Sequence, residues 1–333
     1  EEQDDLAGLP PGILEMAAME AARRNLTGWV FTLQHPSYLP FMQYSEKRHL
    51  RELLLRAYSS RAYRKNQRDN RLLVERMVNL RLETAKLLGF RNFAEMALSD
   101  RMAETPGKVE SFLGNLHSAS REAALRDYRN IDAFAGSLGH NDRIERWDWA
   151  FFSEKLKKEK YLIDDEILKP YFPLEIVTDA IFSLCKRLFG VRFERDGSIP
   201  VYHEEVTAYQ VFDNDNAILA ILYTDFHPRP GKNGGAWMTS FREQWRDNGK
   251  RIIPLVSIVA NFSRPTNSDP SLLTFGELTT FLHEFGHALH GMLSDCSYEG
   301  LSGTNVARDF VELPSQFMEN YAYEQEWLDT WAV

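Results

Sequence analysis

The sequence predicts a mainly α-helical protein, with a large helical body and a small antiparallel β-sheet beside one helix that carries two regularly spaced histidines. Apolar residues recur at three- and four-residue spacing over much of the first 190 residues, as they do on the buried faces of helices. Residues 191–262 are instead rich in β-branched and aromatic side chains, which favour strands. Helical periodicity returns around FLHEFGHALHG, residues 281–291.

The helical region divides into separate periodic stretches. These predict helices over residues 13–24, 46–62, 71–89, 106–134, from about 144 onward, and 173–190. A polar break at residues 136–142 separates the fourth helix from the fifth. Pro173 is expected in the first turn of the last helix, and Gly190 is expected to end it.

The following region predicts a small antiparallel sheet. Its candidate strands cover residues 191–195, 207–213, 217–226, 234–241 and 252–262. The tripeptide Asn-Asp-Asn at 214–216 predicts a hairpin turn between the second and third strands. Pro254 is expected to place the start of the last strand near a sheet edge, because proline cannot donate a ladder hydrogen bond.

The composition excludes some classes of function. Of the 333 residues, 44% are hydrophobic and 26% charged, which is typical of globular proteins, and no apolar stretch is long enough to span a membrane. The net charge of −9 argues against a nucleic-acid partner, because such proteins usually carry a basic patch. Cys185 and Cys296 do not form a disulfide framework, so a cytoplasmic location is expected, with a periplasmic one also open.

The histidine pair lies on a helix whose start is well marked. Thr274 and Glu277 have the spacing of a capping box, just before an apolar run. On this helix His283 and His287 are one turn apart, so both imidazoles can reach one tetrahedral ion. Glu284 is rotated about 100° from His283 and could take a proton from a metal-bound water. The alternative is an ordinary helix with two incidental histidines.

A catalytic zinc site needs a third protein ligand and one open position. The next acidic stretch, predicted as a helix over residues 308–328, offers Asp309, Glu312 and Glu319. A carboxylate from this stretch would complete a two-histidine, one-carboxylate set. His290 is a less suitable ligand, because a fourth protein ligand would close the site, and a hydrogen-bonding role is expected for it.

Two sequence blocks together resemble one known family. FLHEFGHALHG, followed by LSGTNVARDFVELPSQFMEN at residues 301–320, resembles the thimet-oligopeptidase family of zinc metallopeptidases. Within it, NVARDFVELPSQ looks most like the bacterial peptidyl-dipeptidase Dcp branch. The stretches at 170–175 and 222–238 resemble the family as well.

The resemblance implies a complete set of site residues. His283, His287 and Glu312 are implied as the ligands of one Zn²⁺ ion, and Glu284 as the general base. We expect Asp309, one turn before Glu312, to accept a hydrogen bond from a ligand imidazole. Its alternative role is that of an acid near the positive end of a helix.

Two glycine-containing segments are expected to contact the substrate. Gly234, Gly235 and Ala236 begin an extended edge that can pair with a peptide backbone, and the resemblance implies the same. The alternative is a buried Trp237 beside a turn. Tyr298 and Gly303 belong to a segment that resembles the family's flexible loop over the cleft, although a connecting loop without substrate contacts would have the same sequence.

The resemblance also implies a function and a domain organisation. The expected function is hydrolysis of short unfolded peptides by Glu-assisted attack of a zinc-bound water, with release of C-terminal dipeptides. Internal cleavage of oligopeptides and a non-catalytic helical module with a vestigial metal site are the alternatives. Residues 1–190, a channel wall, and 191–333, the sheet with the zinc-site helices, are expected to be parts of one larger catalytic domain truncated at both ends. The family's oxyanion donors would then lie beyond Val333.

Overall fold

The computed structural model describes residues 3–332 and is mainly α-helical, as predicted. None of the described helices is both long and apolar enough to cross a bilayer. In chain order, the α-helices are α1 (Pro11–Arg23), α2 (His35–Tyr44), α3 (Arg48–Ser59), α4 (Arg71–Leu87), α5 (Phe93–Leu98), α6 (Pro106–Ser137), α7 (Arg146–Tyr161), α8 (Asp165–Leu168), α9 (Leu174–Phe189), α10 (Phe275–Met292), α11 (Leu313–Glu319) and α12 (Gln325–Leu328). Short 3₁₀ turns cover Gln3–Leu6, Lys169–Tyr171, Glu299–Leu301 and Asn320–Tyr323.

The chain forms two compact units. Unit 1 contains the chain up to Leu9 together with Pro40–Leu162, and unit 2 contains Pro10–Leu39 and the chain from Ile163 onward. The division predicted from the sequence, after residue 190, falls inside unit 2. That residues 1–190 and 191–333 are parts of one larger catalytic domain stays a prediction.

Unit 1 is organised around a buried ion cluster between α3 and α7. Asp148 is fully buried and accepts hydrogen bonds from Arg48 at 2.9 Å and from Arg51 at 3.0 Å. Arg51 is itself buried and also donates to the carbonyls of Ser45 and Trp147. A buried charge is tolerated only when it is paired and hydrogen-bonded, so this cluster fixes how the two helices pack.

Unit 2 contains a five-stranded sheet and a separate hairpin. The strands are β1 (Arg192–Arg195), β2 (Thr207–Phe212), β3 (Ile218–Asp225), β4 (Trp237–Arg242), β5 (Trp245–Asp247), β6 (Lys250–Ile252) and β7 (Leu255–Val259). The order in the large sheet is β1-β2-β3-β7-β4, and β5 pairs with β6.

The prediction of an antiparallel sheet was wrong for one pair of strands. β3 and β7 are parallel, whereas the other pairs in this sheet are antiparallel. The reason is that the chain between them, residues 226–254, makes β4 and the β5–β6 hairpin and so returns to the side where β3 begins. Pro254 precedes β7, which lies inside the sheet and not at its edge.

The main core lies between this sheet and helices α9 and α10. On α10, Leu278, Phe281, Leu282 and Phe285 are fully buried. The Phe281 ring meets that of Phe226 edge-on at 4.9 Å between centroids. Burial of these side chains contributes about 1.5–3 kcal/mol each. The opposite face of α10 is thereby left to carry the histidines.

The prediction of one helix over residues 308–328 was wrong. The α-helix α11 begins at Leu313 with Pro314 in its first turn, and α12 is separate. Proline is well accommodated in a first turn, where no intrahelical N–H bond is lost, so Pro314 is compatible with a helix that begins here. Glu312 therefore occupies the N-cap position of α11.

Candidate active site

The start of α10 is fixed as the sequence predicts. The Thr274 side chain accepts a hydrogen bond from the Glu277 N–H at 3.1 Å, and the Glu277 carboxylate accepts one from the Thr274 N–H at 2.8 Å. This reciprocal pair satisfies two N–H groups that a helix leaves unbonded at its first turn. The start of α10 determines which residues face the core and which face the site.

Gly286 allows α11 to approach α10 closely. A Cβ atom at Gly286 would lie 2.5 Å from the Pro314 carbonyl oxygen and 2.6 Å from Ser315 Cα. These are backbone atoms, so the contact could be relieved only if one helix moved. A residue without a side chain is needed here because Glu312, two residues before Pro314, must lie over the histidines.

The structure brings His283, His287 and Glu312 together. Glu312 Oε2 lies 3.4 Å from His283 Nε2 and 3.2 Å from His287 Nε2. One ligand atom from each of the three residues lies within 4.8 Å of the others. His283 and His287 are half-buried, and the Glu312 side chain is 51% exposed. The three side chains thus converge at an accessible position.

The two distances from Glu312 to the histidines match the spacing of ligand atoms in a tetrahedral metal site. For bonds of about 2.0–2.1 Å to zinc, tetrahedral geometry separates neighbouring ligand atoms by about 3.3 Å. Both contacts to Glu312 Oε2 are within 0.1 Å of that value. Burial lowers the pKa of His287, which favours the neutral imidazole that a metal ligand requires.

Glu284 lies beside this group on the buried side of α10. It is 7% exposed, and its Oε2 atom is buried without a hydrogen-bond partner among the described residues. Burial raises the pKa of Glu284, and the Glu312 carboxylate acts in the same direction. The charge of His283 and the backbone of Met238 oppose this shift. Glu284 is therefore a buried carboxylate with an unused oxygen.

Sequence reasoning missed the contact made by Glu319. Its Oε1 lies 2.6 Å from His283 Nδ1, on the opposite side of the imidazole from Glu312. Glu319 is seven residues, or two helical turns, after Glu312, a spacing that could have indicated it. The role expected for Asp309, as a hydrogen-bond acceptor for a ligand imidazole, stays a prediction.

His290 does not join the three converging residues. Its Nδ1 atom is buried and has no hydrogen-bond partner among the described residues, and its ring packs against Phe310 at 6.1 Å between centroids. The hydrogen-bonding role expected for it is therefore not seen at this nitrogen.

The predicted substrate segments lie on different elements. Gly234, Gly235 and Ala236 come just before β4, which begins at Trp237 and lies at one edge of the large sheet. Tyr298 is 73% exposed, whereas Gly303 is buried. A Cβ atom at Gly303 would lie 3.2 Å from Gly291 Cα, so this end of the loop is packed against α10.

Comparison with known proteins identifies the family. Residues 41–332 match the family described as Peptidase family M3. The chain belongs to this peptidase family. The resemblance seen in the two sequence blocks is thus confirmed, and the match covers both units.

The similar proteins include some named oligopeptidase A and some named dipeptidyl carboxypeptidase. Oligopeptidase A of Escherichia coli (strain K12) is 39% identical over 98% of this chain and 49% of its own length. Organellar oligopeptidase A, chloroplastic/mitochondrial, of Arabidopsis thaliana is 41% identical over 98% of this chain and 43% of its own. Dipeptidyl carboxypeptidase of Salmonella typhimurium is 38% identical over 95% of this chain and 47% of its own. The M3 chain spans about half the length of the curated relatives it matches, and identity alone does not separate the two groups.

Proposed function

We propose that the protein is a zinc metallopeptidase that hydrolyses short peptides. The observation that carries this proposal is the convergence of His283, His287 and Glu312 within 4.8 Å, beside the buried Glu284. Membership of peptidase family M3 supports it. A non-catalytic metal module is disfavoured, because a structural metal site has no use for a buried carboxylate with an unpaired oxygen.

Each residue of the site has a distinct part in the proposed chemistry. His283, His287 and Glu312 would hold one zinc ion and leave the fourth position open. When bound, zinc lowers the pKa of water and polarises a carbonyl oxygen. Glu284 accepts the proton of the attacking water at its unpaired oxygen and passes it to the leaving amine.

The surroundings of Glu284 suit a general base. Its pKa is raised by burial, and a higher pKa makes the carboxylate a stronger acceptor at neutral pH. Its Oε2 atom has no hydrogen-bond partner among the described residues, so this oxygen can accept a proton.

We propose β4 as the strand along which the peptide lies. In the described sheet β4 pairs with β7 on one side only, so its other edge can add an extended peptide by backbone hydrogen bonds. The segment before it is held in place, because Asn261 Nδ2 donates to the carbonyls of Asn233 at 2.9 Å and Gly235 at 2.6 Å. Gly234, Gly235 and Ala236 would permit close approach of substrate. The exposed Tyr298 would contact it from the loop, whereas Gly303 is packed against α10.

Two cleavage patterns are compatible with this site. Release of C-terminal dipeptides is supported by the similarity to proteins named dipeptidyl carboxypeptidase. Internal cleavage is the second candidate, because proteins named oligopeptidase A are similar to the same extent. A cytoplasmic location is proposed on the two free cysteines alone.

The test is peptide hydrolysis by the full-length protein, with products identified by mass spectrometry. We expect zinc-dependent hydrolysis that Glu284→Gln reduces by at least about 100-fold with unchanged zinc content, since loss of a general base costs about 10²–10⁴-fold. Dipeptides from a free C-terminus, and none from the amidated peptide, would indicate the first pattern. Full activity in Glu284→Gln would contradict the proposed mechanism.

A further inference from the structure

The proposed metal site is supported from α11 at two places. The first is the imidazole of His283, which lies between two carboxylates. Its Nε2 faces Glu312 Oε2 at 3.4 Å, and its Nδ1 faces Glu319 Oε1 at 2.6 Å. A carboxylate can only accept, so His283 must carry its proton on Nδ1 in the neutral form. The lone pair is then on Nε2, the nitrogen that points to the other ligand atoms.

The second place is the carboxylate of Glu312. Ser315 Oγ lies 2.9 Å from Glu312 Oε2, the oxygen that faces both histidines, and 2.9 Å from the Glu312 carbonyl oxygen. Ser315 is fully buried, so its hydroxyl group has no bulk water with which to exchange this contact. The backbone of Ser315 also packs closely against Gly286 of α10. The hydroxyl group therefore restricts the rotation of a side chain that is otherwise half exposed.

We propose that Glu319 and Ser315 are positioning residues for zinc, with Glu319 orienting His283 and Ser315 orienting Glu312. This inference rests on the proposed function and adds two residues to it. They are four residues apart on α11, so both project from one face of the helix toward α10. In this arrangement one short helix sets the orientation of two of the three ligands.

Glu319 also acts through its charge. A hydrogen bond from an imidazole N–H to a carboxylate raises the basicity of the other nitrogen and so strengthens its bond to a metal. His287 lacks this support, since its Nδ1 has no hydrogen-bond partner among the described residues. Loss of Glu319 would therefore weaken the site, because it removes the carboxylate that orients the imidazole of His283.

The experiment measures the dissociation constant for Zn²⁺ by competition with a chromophoric chelator on the purified chain. We expect Glu319→Ala to raise this constant by about 10–100-fold, the usual effect of losing a carboxylate behind a ligand histidine. Glu319→Gln keeps an acceptor oxygen but not the charge, and should raise it by about tenfold. For Ser315→Ala the expected increase is also about tenfold.

Glu326→Gln is the matched control. It makes the same change of residue and charge seven positions further along, at an exposed site, and should bind zinc as the parent does. Urea unfolding of the metal-free proteins separates positioning from folding. We expect Glu319→Gln to unfold at the same urea concentration as the parent, because its amide oxygen still accepts from His283 Nδ1.

The possible results distinguish the inference from the proposed function. A parent chain that binds no zinc would overturn both. Zinc binding by the parent with an unchanged constant in both Glu319 variants would overturn the role of Glu319 and leave the proposed zinc site standing. An unchanged dissociation constant for Zn²⁺ in Ser315→Ala would overturn the positioning role of Ser315 and likewise leave the proposed zinc site standing.

Discussion

Replacement of Gly286 by alanine is expected to disturb the site from the side of α10 that faces α11. The new Cβ atom would lie 2.5 Å from the Pro314 carbonyl oxygen, whereas ordinary contacts begin at 3.4 Å. The backbone of α11 would therefore have to move by about 0.9 Å, the difference between these distances. Metal–ligand distances in real sites vary by only about 0.2 Å, so Glu312 would leave its place over the histidines.

The expected effects are a weaker zinc site and a less stable protein. Overpacking of this kind lowers the free energy of unfolding by about 1–3 kcal/mol. We expect the dissociation constant for zinc to rise by at least about tenfold, which corresponds to about 1.4 kcal/mol. Chelator competition and urea unfolding measure the two quantities on the same preparation.

Gly276→Ala is the matched control for this substitution. Gly276 lies in the first turn of the same helix, and a Cβ atom there would meet only Thr274 Oγ1, at 3.9 Å. Both substitutions gain the higher helix propensity of alanine, about 1 kcal/mol, so the difference between them isolates the contact with α11. If Gly286→Ala bound zinc and unfolded like Gly276→Ala, the close approach would not position Glu312.

Two further predictions concern other parts of unit 2. Asp225 is buried, and although burial would raise its pKa, hydrogen bonds from Arg229, Lys232 and Tyr202 lower it to about 2 from 3.8. Its ionised form therefore stabilises the protein above about pH 4, and up to about 2 kcal/mol of this stability is lost as the pH falls toward 2. Urea unfolding at several pH values should show this loss. If the free energy of unfolding of Asp225→Asn fell equally steeply between pH 4 and pH 2, the prediction would be refuted. In a thiol titration of the native protein, only the partly exposed Cys296 should react rapidly, because Cys185 is buried and burial raises its pKa. Rapid reaction of both thiols before unfolding would count against the burial of Cys185.

Local signals in the sequence predicted much of the fold. The predicted helix end at Gly190 is confirmed, since this residue caps α9 at a φ of 70°. The capping box at Thr274 is confirmed for α10. Both features depend on residues within a few positions of one another, so they are visible in the sequence. His283 and His287 share one helix face for the same reason.

Features that depend on distant parts of the chain were not predicted. The parallel pairing of β3 with β7 follows from the path of the 29 residues between them, residues 226–254, and strand composition does not reveal this path. The contact of Glu319 with His283 depends on how α11 packs against α10.

One local signal was missed. The dipeptide Asn248-Gly249, a common hairpin turn, lies between β5 and β6 and could have predicted this hairpin.

Zinc content is the most direct measure of whether His283, His287 and Glu312 form one metal site. Elemental analysis of the purified chain and of Glu312→Ala should give about one zinc per chain in the parent and little or none in the variant. No zinc in a folded parent, or equal zinc in both proteins, would contradict the three-residue site and with it the proposed peptidase mechanism.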